Sequence, residues 1–212
     1  TFMLSIFSRV RFFQLPHWWM KIGLIVGAGF INSCASTYQH PQLTLIPESE
    51  YFSKVEKNTR KQQIYDGFQQ ILEIQGTLLK TDVALAYVDH QARMFQWTPE
   101  NYNTEKEKKS GELKKQTELF VSFFVPERKH DDLHKTKTLW KIFLDVNGKR
   151  YEGKATKIKA VLAEVMASYP HHNRWSTPYK IIFPAPVSEV DTHEAKITFT
   201  GPVSSVTLTY DL

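Results

Sequence analysis

The chain has 212 residues, a formal charge of +5 and a single cysteine, Cys34. One cysteine excludes an internal disulfide and a cysteine-based zinc site, and the length suits a domain with a sizeable core. Three basic residues and no acidic ones precede Cys34, so the remainder carries only +2. A charge this close to neutral argues against nucleic-acid binding, for which a concentrated basic face is typical.

Residues 26–36, VGAGFINSCAS, fit two incompatible patterns. A dinucleotide-binding turn has three glycines at set spacing and then a helix. Here Asn32 stands at the third glycine position, and no amphipathic helix follows. An export signal has a basic start, an apolar core and small residues before the cleavage point. Met20-Lys21, the apolar residues 22–31 and two short polar residues before Cys34 fit this second pattern, which we therefore prefer.

The motif Ile31-Asn32-Ser33-Cys34 resembles the lipobox of bacterial lipoproteins, in which an aliphatic residue and two small residues precede an invariant cysteine. Asn32 departs from the Ser, Ala or Thr that is usual at its position. The resemblance implies cleavage before Cys34 and acylation of this cysteine, which makes residues 1–33 a signal peptide. An ordinary signal peptide, an uncleaved membrane anchor and a folded core segment remain open as alternatives, and so does a natural start at Met20.

A lipobox also implies where the protein resides and what holds it there. The expected location is the bacterial cell envelope, where acyl chains on Cys34 attach the chain to a lipid bilayer and the domain faces the periplasm or the cell surface. Ala35 is not the aspartate that retains enterobacterial lipoproteins at the inner membrane, so the outer membrane is favoured.

The part of the chain that follows is predicted to be a tether over residues 34–49 and a single domain over residues 50–212. The tether is polar and contains two prolines. Between Ser49 and Thr77 the apolar residues recur with helical spacing, which predicts an N-terminal amphipathic helix. The residues that define its apolar stripe are Ile64, Phe68, Ile71 and Leu72.

Beyond this helix the apolar period is mostly two, which predicts strands. Residues 98–118 are rich in Lys and Glu and are predicted to be a mobile loop or a solvated hairpin tip. Asn147-Gly148 predicts a type I′ hairpin, and the stripe of Leu162, Val165, Met166 and Tyr169 predicts a short crossing helix. The predicted strands lie within residues 81–90, 119–125, 139–146, 149–159, 179–183, 195–199 and 206–212.

These elements together predict a mainly β fold, an antiparallel β-sandwich of immunoglobulin-like layout with the N-terminal helix and the crossing helix attached. Sandwich domains serve so many roles that the fold alone does not identify a function. The sequence contains no nucleophile elbow, P-loop, HExxH helix or calcium loop, and no cofactor is expected.

Two polar clusters remain as candidate sites. The stretch HDDLH contributes His130, Asp132 and His134, whose imidazole and carboxylate groups are weak candidates for a metal site, joined by His171 and His172 if their loops converge. The stretch YPHHNRWSTPY combines aromatic side chains with an arginine, the residue types that dominate binding surfaces. Its candidate recognition residues are Tyr169, His171, His172, Arg174, Trp175 and Tyr179. The alternative is that Trp175 fills the core while the two histidines face water.

The functional hypothesis is a non-enzymatic, membrane-anchored envelope lipoprotein whose domain binds a partner or supports an assembly. The expected partners are the bilayer, through acylated Cys34, and an envelope protein or glycan, with no nucleic acid. One alternative is an envelope hydrolase or metal-dependent enzyme that uses His130, Asp132 and His134. Another is a periplasmic carrier of a hydrophobic ligand, which requires a cavity between the sheet and the helix that carries Phe68.

Overall fold

The computed structural model describes residues 43–211, which form nine strands in two antiparallel sheets and five α-helices. The predicted signal peptide, Cys34 and residues 35–42 of the predicted tether lie outside the described residues. The helices are α1 (Glu48–Lys57), α2 (Thr81–Met94), α3 (Pro99–Leu113), α4 (Leu162–Ser168) and α5 (Val187–Thr192). The strands are β1 (Thr59–Asp66), β2 (Gln69–Leu79), β3 (Thr117–Phe124), β4 (Lys141–Val146), β5 (Lys149–Glu152), β6 (Lys154–Lys157), β7 (Thr177–Phe183), β8 (Ala195–Thr200) and β9 (Ser205–Tyr210).

The larger sheet has the strand order β1-β2-β3-β7-β6, and the smaller sheet has the order β5-β4-β8-β9. Every neighbouring pair is antiparallel. Phe123 of β3 meets Trp140 edge to face at 5.2 Å between ring centroids, which brings the two sheets into contact. None of the helices between Leu43 and Asp211 combines the length and the apolar composition that crossing a bilayer requires.

Strand β3 lies at the centre of the larger sheet and is buried on both faces. Leu119 and Val121 alternate along it with Phe120 and Ser122, and all four side chains are buried. Because successive side chains of a strand point to opposite faces, both faces of the sheet must be covered. The Phe120 ring stacks on Tyr169 at 3.6 Å between centroids, immediately after α4. The prediction of a strand within residues 119–125 is therefore confirmed.

The two sheets also approach each other closely where β9 of the smaller sheet meets β2 of the larger sheet. The hydroxyl of Tyr210 in β9 donates a buried hydrogen bond of 2.9 Å to the carbonyl oxygen of Gly76 in β2. A Cβ atom at Gly76 would lie 2.8 Å from that hydroxyl and 2.9 Å from Leu208, so no larger residue fits without displacement. On the neighbouring strand, Nε of Arg60 donates to the carbonyl oxygen of Thr209 at 3.0 Å.

The predicted N-terminal helix is wrong over most of its length. Only Glu48–Lys57 is helical, and the residues after it form the β1–β2 hairpin. Ile64 pairs with Leu72 across the two strands, so their spacing of eight residues reflects hairpin register and not two turns of a helix. The loop is Gly67-Phe68, with φ of +58° at Gly67, which is the glycine position of a type II′ turn. The dipeptide Asp66-Gly67 is a hairpin signal that the helical pattern obscured.

Two further predictions fail in the segment that follows β2. Residues 81–90, predicted as a strand, begin helix α2, because its Ala-rich sequence favours a helix and the helix is buried on several sides. Residues 98–118, predicted as a loop or hairpin tip, contain helix α3 and the start of β3. Thr98 caps α3 by accepting a hydrogen bond from the backbone N–H of Asn101 at 3.3 Å, and Pro99 occupies the first turn.

The remaining strand predictions are confirmed with one change of pairing. Strands β4, β7, β8 and β9 and the crossing helix α4 lie where the apolar patterns placed them. Asn147 and Gly148 have φ of 49° and 70°, as a type I′ turn requires. The returning segment, however, divides at Gly153 into β5, which pairs with β4, and β6, which pairs with β7. A Cβ atom at Gly153 would lie 2.5 Å from the Phe183 ring, so only glycine fits where the chain passes between the sheets.

Candidate functional site

The segment from Tyr169 to Tyr179 connects α4 to β7 and is fixed by its buried side chains. Tyr169 stacks on Phe120, and the buried His172 pairs through Nδ1 with the hydroxyl of Ser122 at 2.8 Å. At the other end, Tyr179 is fully buried and its hydroxyl donates to a carboxylate oxygen of Asp131 at 2.9 Å. The prediction that Tyr169, His172 and Tyr179 belong to a recognition surface is therefore wrong, because their rings are in the core.

Between these anchors, Arg174 and Trp175 are displayed to solvent. Trp175 is 75% exposed, so the alternative in which this tryptophan fills the core is also wrong. Its backbone N–H donates to the Asn173 side-chain oxygen at 2.9 Å, which closes a local turn. The Arg174 guanidinium lies 5.7 Å from the indole centroid, within the range of a cation–π contact. The backbone beneath these two exposed side chains is held by the adjacent buried anchors.

His171 is partly buried and belongs to a chain of hydrogen bonds under α1. Thr59 donates its hydroxyl proton to the carbonyl oxygen of Val55 at 2.6 Å, so it must accept from Thr77 across 2.7 Å. Nε2–H of His171 then donates to the Thr77 hydroxyl at 3.4 Å. Burial lowers the pKa of His171 to about 4, with a smaller contribution from neighbouring His172, so its ring is neutral at pH 7.

The HDDLH residues are engaged separately. The carboxylate of Asp131 accepts from Thr177 at 2.6 Å as well as from Tyr179, whereas that of Asp132 accepts from Thr138 at 2.9 Å. His134 contacts the Tyr179 hydroxyl through Nδ1 at 3.2 Å. His130 instead contributes its backbone carbonyl, which accepts from the Trp140 indole N–H at 2.8 Å.

A metal site is not assembled from these groups. Between Leu43 and Asp211 no three His, Cys, Asp or Glu side chains are grouped as metal ligands would be. His171 and His172 contact Phe120 and Ser122, whereas His134 contacts Tyr179, a neighbour of Val121 in the pairing of β7 with β3. Since alternate residues of a strand point to opposite faces, the two histidine groups lie on opposite faces of the larger sheet.

Sequence reasoning missed a polar clamp on α2 that holds the segment before α1. A carboxylate oxygen of the buried Asp89 accepts from the backbone N–H of Ile46 at 3.1 Å, and Arg93 donates to the carbonyl oxygen of the same residue. Leu43 and Leu45 pack beside this clamp on a small cluster formed by Val88, Ala92, Trp97 and Tyr102. Residues 43–49, predicted as tether, are therefore part of the folded body. The spacing of Asp89 and Arg93, one helical turn apart, becomes informative only once α2 is known to be a helix.

A buried histidine was also missed. His90 on α2 is 3% exposed and stacks on Tyr51 at 4.3 Å between centroids, yet neither ring nitrogen has a hydrogen-bond partner among the described residues. Burial lowers the pKa of His90, so its ring is kept neutral. Sequence gave no signal for it, because a lone histidine within an apolar pattern has no distinctive spacing.

Comparison of the chain with protein-family models, with curated proteins and with solved structures finds no match.

Proposed function

We propose that the protein is a membrane-anchored lipoprotein of the bacterial cell envelope, with acylated Cys34 as its anchor and a binding domain that has no catalytic role. The two antiparallel sheets support a β-sandwich, and the immunoglobulin-like layout within it remains a proposal. The outer membrane is the favoured location, with the domain facing the periplasm or the cell surface. An envelope protein or glycan is the partner class that the sequence suggested besides the bilayer.

The observation that carries a binding role is the display of Trp175 and Arg174. Exposing a tryptophan forgoes about 1.5–3 kcal/mol of burial free energy relative to placing a large apolar side chain in the core. Here the exposed ring lies on a backbone that His172 and Tyr169 fix from within, so little conformational freedom would be lost on contact. A rigid, exposed Trp and Arg pair is the composition of a binding hot spot.

The arrangement favours binding over the hydrolase alternative. The Asp132 carboxylate bonds to Thr138, the His134 ring contacts Tyr179, and the His130 ring lies 3.7 Å from the Glu127 carboxylate. The three side chains therefore do not converge on one cleft. Ser122 and His172 are hydrogen-bonded, but both side chains are buried, which denies a substrate access to the hydroxyl. The pair therefore holds the α4–β7 connection on the sheet.

The carrier alternative placed Phe68 on a helix that covers a ligand cavity. Phe68 instead lies in the β1–β2 turn, where its fully exposed ring does not cover the sheet. The cleft beneath α1, lined by Phe52, Val55, Glu56, Thr59, Pro170 and His171, has a volume of about 240 Å³. Small-molecule pockets generally enclose about 300–1,000 Å³, so this cleft is small for a lipid-like ligand.

The anchoring proposal is tested by intact-mass spectrometry of the full chain expressed in a bacterial host and extracted from its membranes. We expect a mass that begins at Cys34 and includes diacylglycerol and acyl chains. The Cys34→Ala variant is the matched control and should lose both the cleavage and the added mass. A parent chain that retains residues 1–33 without added lipid would overturn the proposal.

A further inference from the structure

The strand registers place several connections at one end of the molecule, which we call the apolar end. The β1–β2 turn lies at this end. Strand β3 ends here, because its last residue, Phe124, pairs with Glu73 near the start of β2. Strand β7 begins here, because Thr177 pairs with Phe123. Strand β6 ends beside the start of β7. The β8–β9 turn joins the same end, since Pro202 and Val203 line a cleft of about 220 Å³ together with Ile71, Val125 and Pro126.

The connections at this end carry most of the exposed large apolar side chains. Phe68, at the tip of the β1–β2 turn, is fully exposed and next to the exposed Tyr65. The β3–β4 connection, residues 125–140, adds exposed Leu139. The β6–β7 connection, residues 158–176, adds Trp175, which lies two residues before β7. The exposed Val161, Leu162 and Met166 belong to the same connection but lie at or within α4, whose Ser168 carbonyl accepts a hydrogen bond from Tyr51 of α1, so they are not assigned to the apolar end.

The opposite end differs in both polarity and charge. Its connections include the Asn147-Gly148 turn and residues 184–194 between β7 and β8, and among the described residues of these two connections no large apolar side chain is exposed. Residues 184–194 contain Glu189, Asp191 and Glu194 and no Lys or Arg. Residues 80–116 also leave and rejoin the larger sheet at this end, since Leu79 pairs with Glu118, and they carry the exposed Phe95 between α2 and α3.

Basic residues accompany the apolar side chains at the apolar end. Residues 125–140 and 158–176 together contain six Lys and Arg, namely Arg128, Lys129, Lys135, Lys137, Lys159 and Arg174. They contain four acidic residues, of which Asp131 and Asp132 are turned to internal hydrogen bonds with Thr177, Tyr179 and Thr138. The β1–β2 turn adds the exposed Asp66, and Glu127 pairs with Lys129, yet the exposed charge of this end stays net positive, which complements anionic lipid headgroups.

We infer that the apolar end docks on an anionic bilayer surface, with Phe68 and Trp175 entering the interfacial region and the Lys and Arg side chains contacting headgroups. Aromatic side chains prefer the membrane interface, and each basic residue near an anionic surface contributes about 1 kcal/mol. The inference rests in part on the proposed anchoring, because Cys34 and Leu43 are nine residues apart. That length of chain spans at most about 30 Å, so an acylated Cys34 would keep the domain beside the bilayer.

For the apolar end as a whole, a bilayer accounts for the arrangement better than the envelope protein or glycan named above as a partner class for Trp175 and Arg174. A protein interface needs a contiguous, complementary patch with its anchors in pockets. Here the exposed apolar side chains are divided among separate connections and project outwards, with Phe68 alone at a hairpin tip. A fluid interface accepts such projecting side chains one by one, without matching their relative positions.

The orientation is tested with an environment-sensitive fluorophore on single cysteines in residues 34–212, the chain that remains after the proposed cleavage, carrying Cys34→Ala. Asp66→Cys and Lys137→Cys label the apolar end, and Ser188→Cys labels the opposite end; all three parent side chains are exposed. We expect vesicles of phosphatidylcholine and phosphatidylglycerol to shift the emission to the blue at the first two sites only. Pure phosphatidylcholine vesicles should give a smaller shift. Equal responses at both ends, or no response at the apolar end, would overturn the inference.

A variant series assigns the effect to the aromatic side chains. Phe68→Ser combined with Trp175→Ser should raise the vesicle concentration needed for a half-maximal shift at residue 66 at least about tenfold. Phe95→Ser is the matched control and should leave that concentration unchanged. A blue shift that develops with protein concentration in the absence of vesicles would identify self-association and contradict bilayer docking. Because residues 1–33 and Cys34 are absent throughout, the outcome is independent of whether the natural chain is cleaved and acylated.

Discussion

At the scale of single residues, glycines mark where backbone packing leaves no space for a side chain. The restriction at Gly76 comes from Tyr210 and Leu208 on the other sheet, and the buried hydrogen bond from Tyr210 to its carbonyl oxygen depends on the same approach. Gly111 near the end of α3 differs, because a Cβ atom there would meet nothing within 4 Å. Substitution of Gly76 therefore tests tertiary packing, whereas substitution of Gly111 tests helix propensity.

Replacing these glycines should change stability in opposite directions. Gly76→Ala should lower the free energy of unfolding by about 1–3 kcal/mol, because the methyl group overpacks the contact with Tyr210. Gly111→Ala should raise it by about 0.5–1 kcal/mol, because alanine loses less backbone entropy in a helix. Urea titrations of the full chain followed by circular dichroism would measure both. A stabilised Gly76→Ala protein would show that the two sheets are farther apart than described.

At the scale of elements, the apolar pattern identified strands correctly only where the spacing of apolar residues fitted a strand and did not also fit a helix. Ile142, Leu144 and Val146 occupy alternate positions within residues 141–146, and β4 lies there. In the β1–β2 hairpin, by contrast, residues on two paired strands imitate the spacing of one helix, because Ile64 and Leu72 are cross-strand partners. In α2 the burial of both Val83 and Ala84 removes the polar face by which an amphipathic helix is recognised. Tertiary contacts decided the hairpin, and in α2 they concealed a segment whose alanines favour a helix.

The α2 clamp is predicted to hold residues 43–47 on the helical layer. Asp89→Ala removes the acceptor for the Ile46 N–H and for the Tyr102 hydroxyl, which donates to it at 2.8 Å. Loss of the acceptor from two donors should lower the free energy of unfolding by about 1–3 kcal/mol and accelerate hydrogen exchange at Ile46. Hydrogen exchange read by mass spectrometry would follow peptides that cover this segment.

Asp145→Ala is the control for the loss of a carboxylate. Its partner Arg150 is exposed, and the two side chains form a surface pair at 2.7 Å, so the expected loss is at most about 1 kcal/mol. Exchange at Ile46 should not respond to this change. If Asp89→Ala left the exchange of residues 43–47 at the parent rate, those residues would be held by Leu43, Leu45 and the hydrogen bond from Arg93, without a contribution from Asp89.

At the scale of the whole molecule, sequence predicted the mainly β composition but not how the layers are assembled. Strong alternation placed β7, β8 and β9, whose inner side chains form the core. The surface was harder to predict, because Tyr169, Trp175 and Tyr179 have similar local contexts yet only Trp175 is exposed. Which aromatic is buried depends on long-range partners such as Phe120 and Asp131, and these contacts leave no trace in local spacing.

Buried neutral histidines in the helical layer should make the whole domain sensitive to acid. Burial lowers the pKa values of His90, His171 and His172 in the folded state, with His171 at about 4 against an ordinary value of 6.5. Above pH 6.5 folded and unfolded chains bind equally few protons at these sites. Between pH 6.5 and 4 the unfolded chain binds protons that the folded chain excludes. The free energy of unfolding therefore decreases as the pH is lowered through this range.

His171 alone should remove on the order of 2 kcal/mol of stability between pH 7 and pH 5. His171→Gln cannot bind that proton, so the variant should lose correspondingly less stability over the same range, even if it starts lower at pH 7. His193→Gln, at an exposed position, controls for the removal of a histidine and should keep the parent's pH dependence. Urea unfolding at the two pH values measures the differences. An identical fall in the parent and in His171→Gln would mean that the ring of His171 accepts its proton in the folded domain.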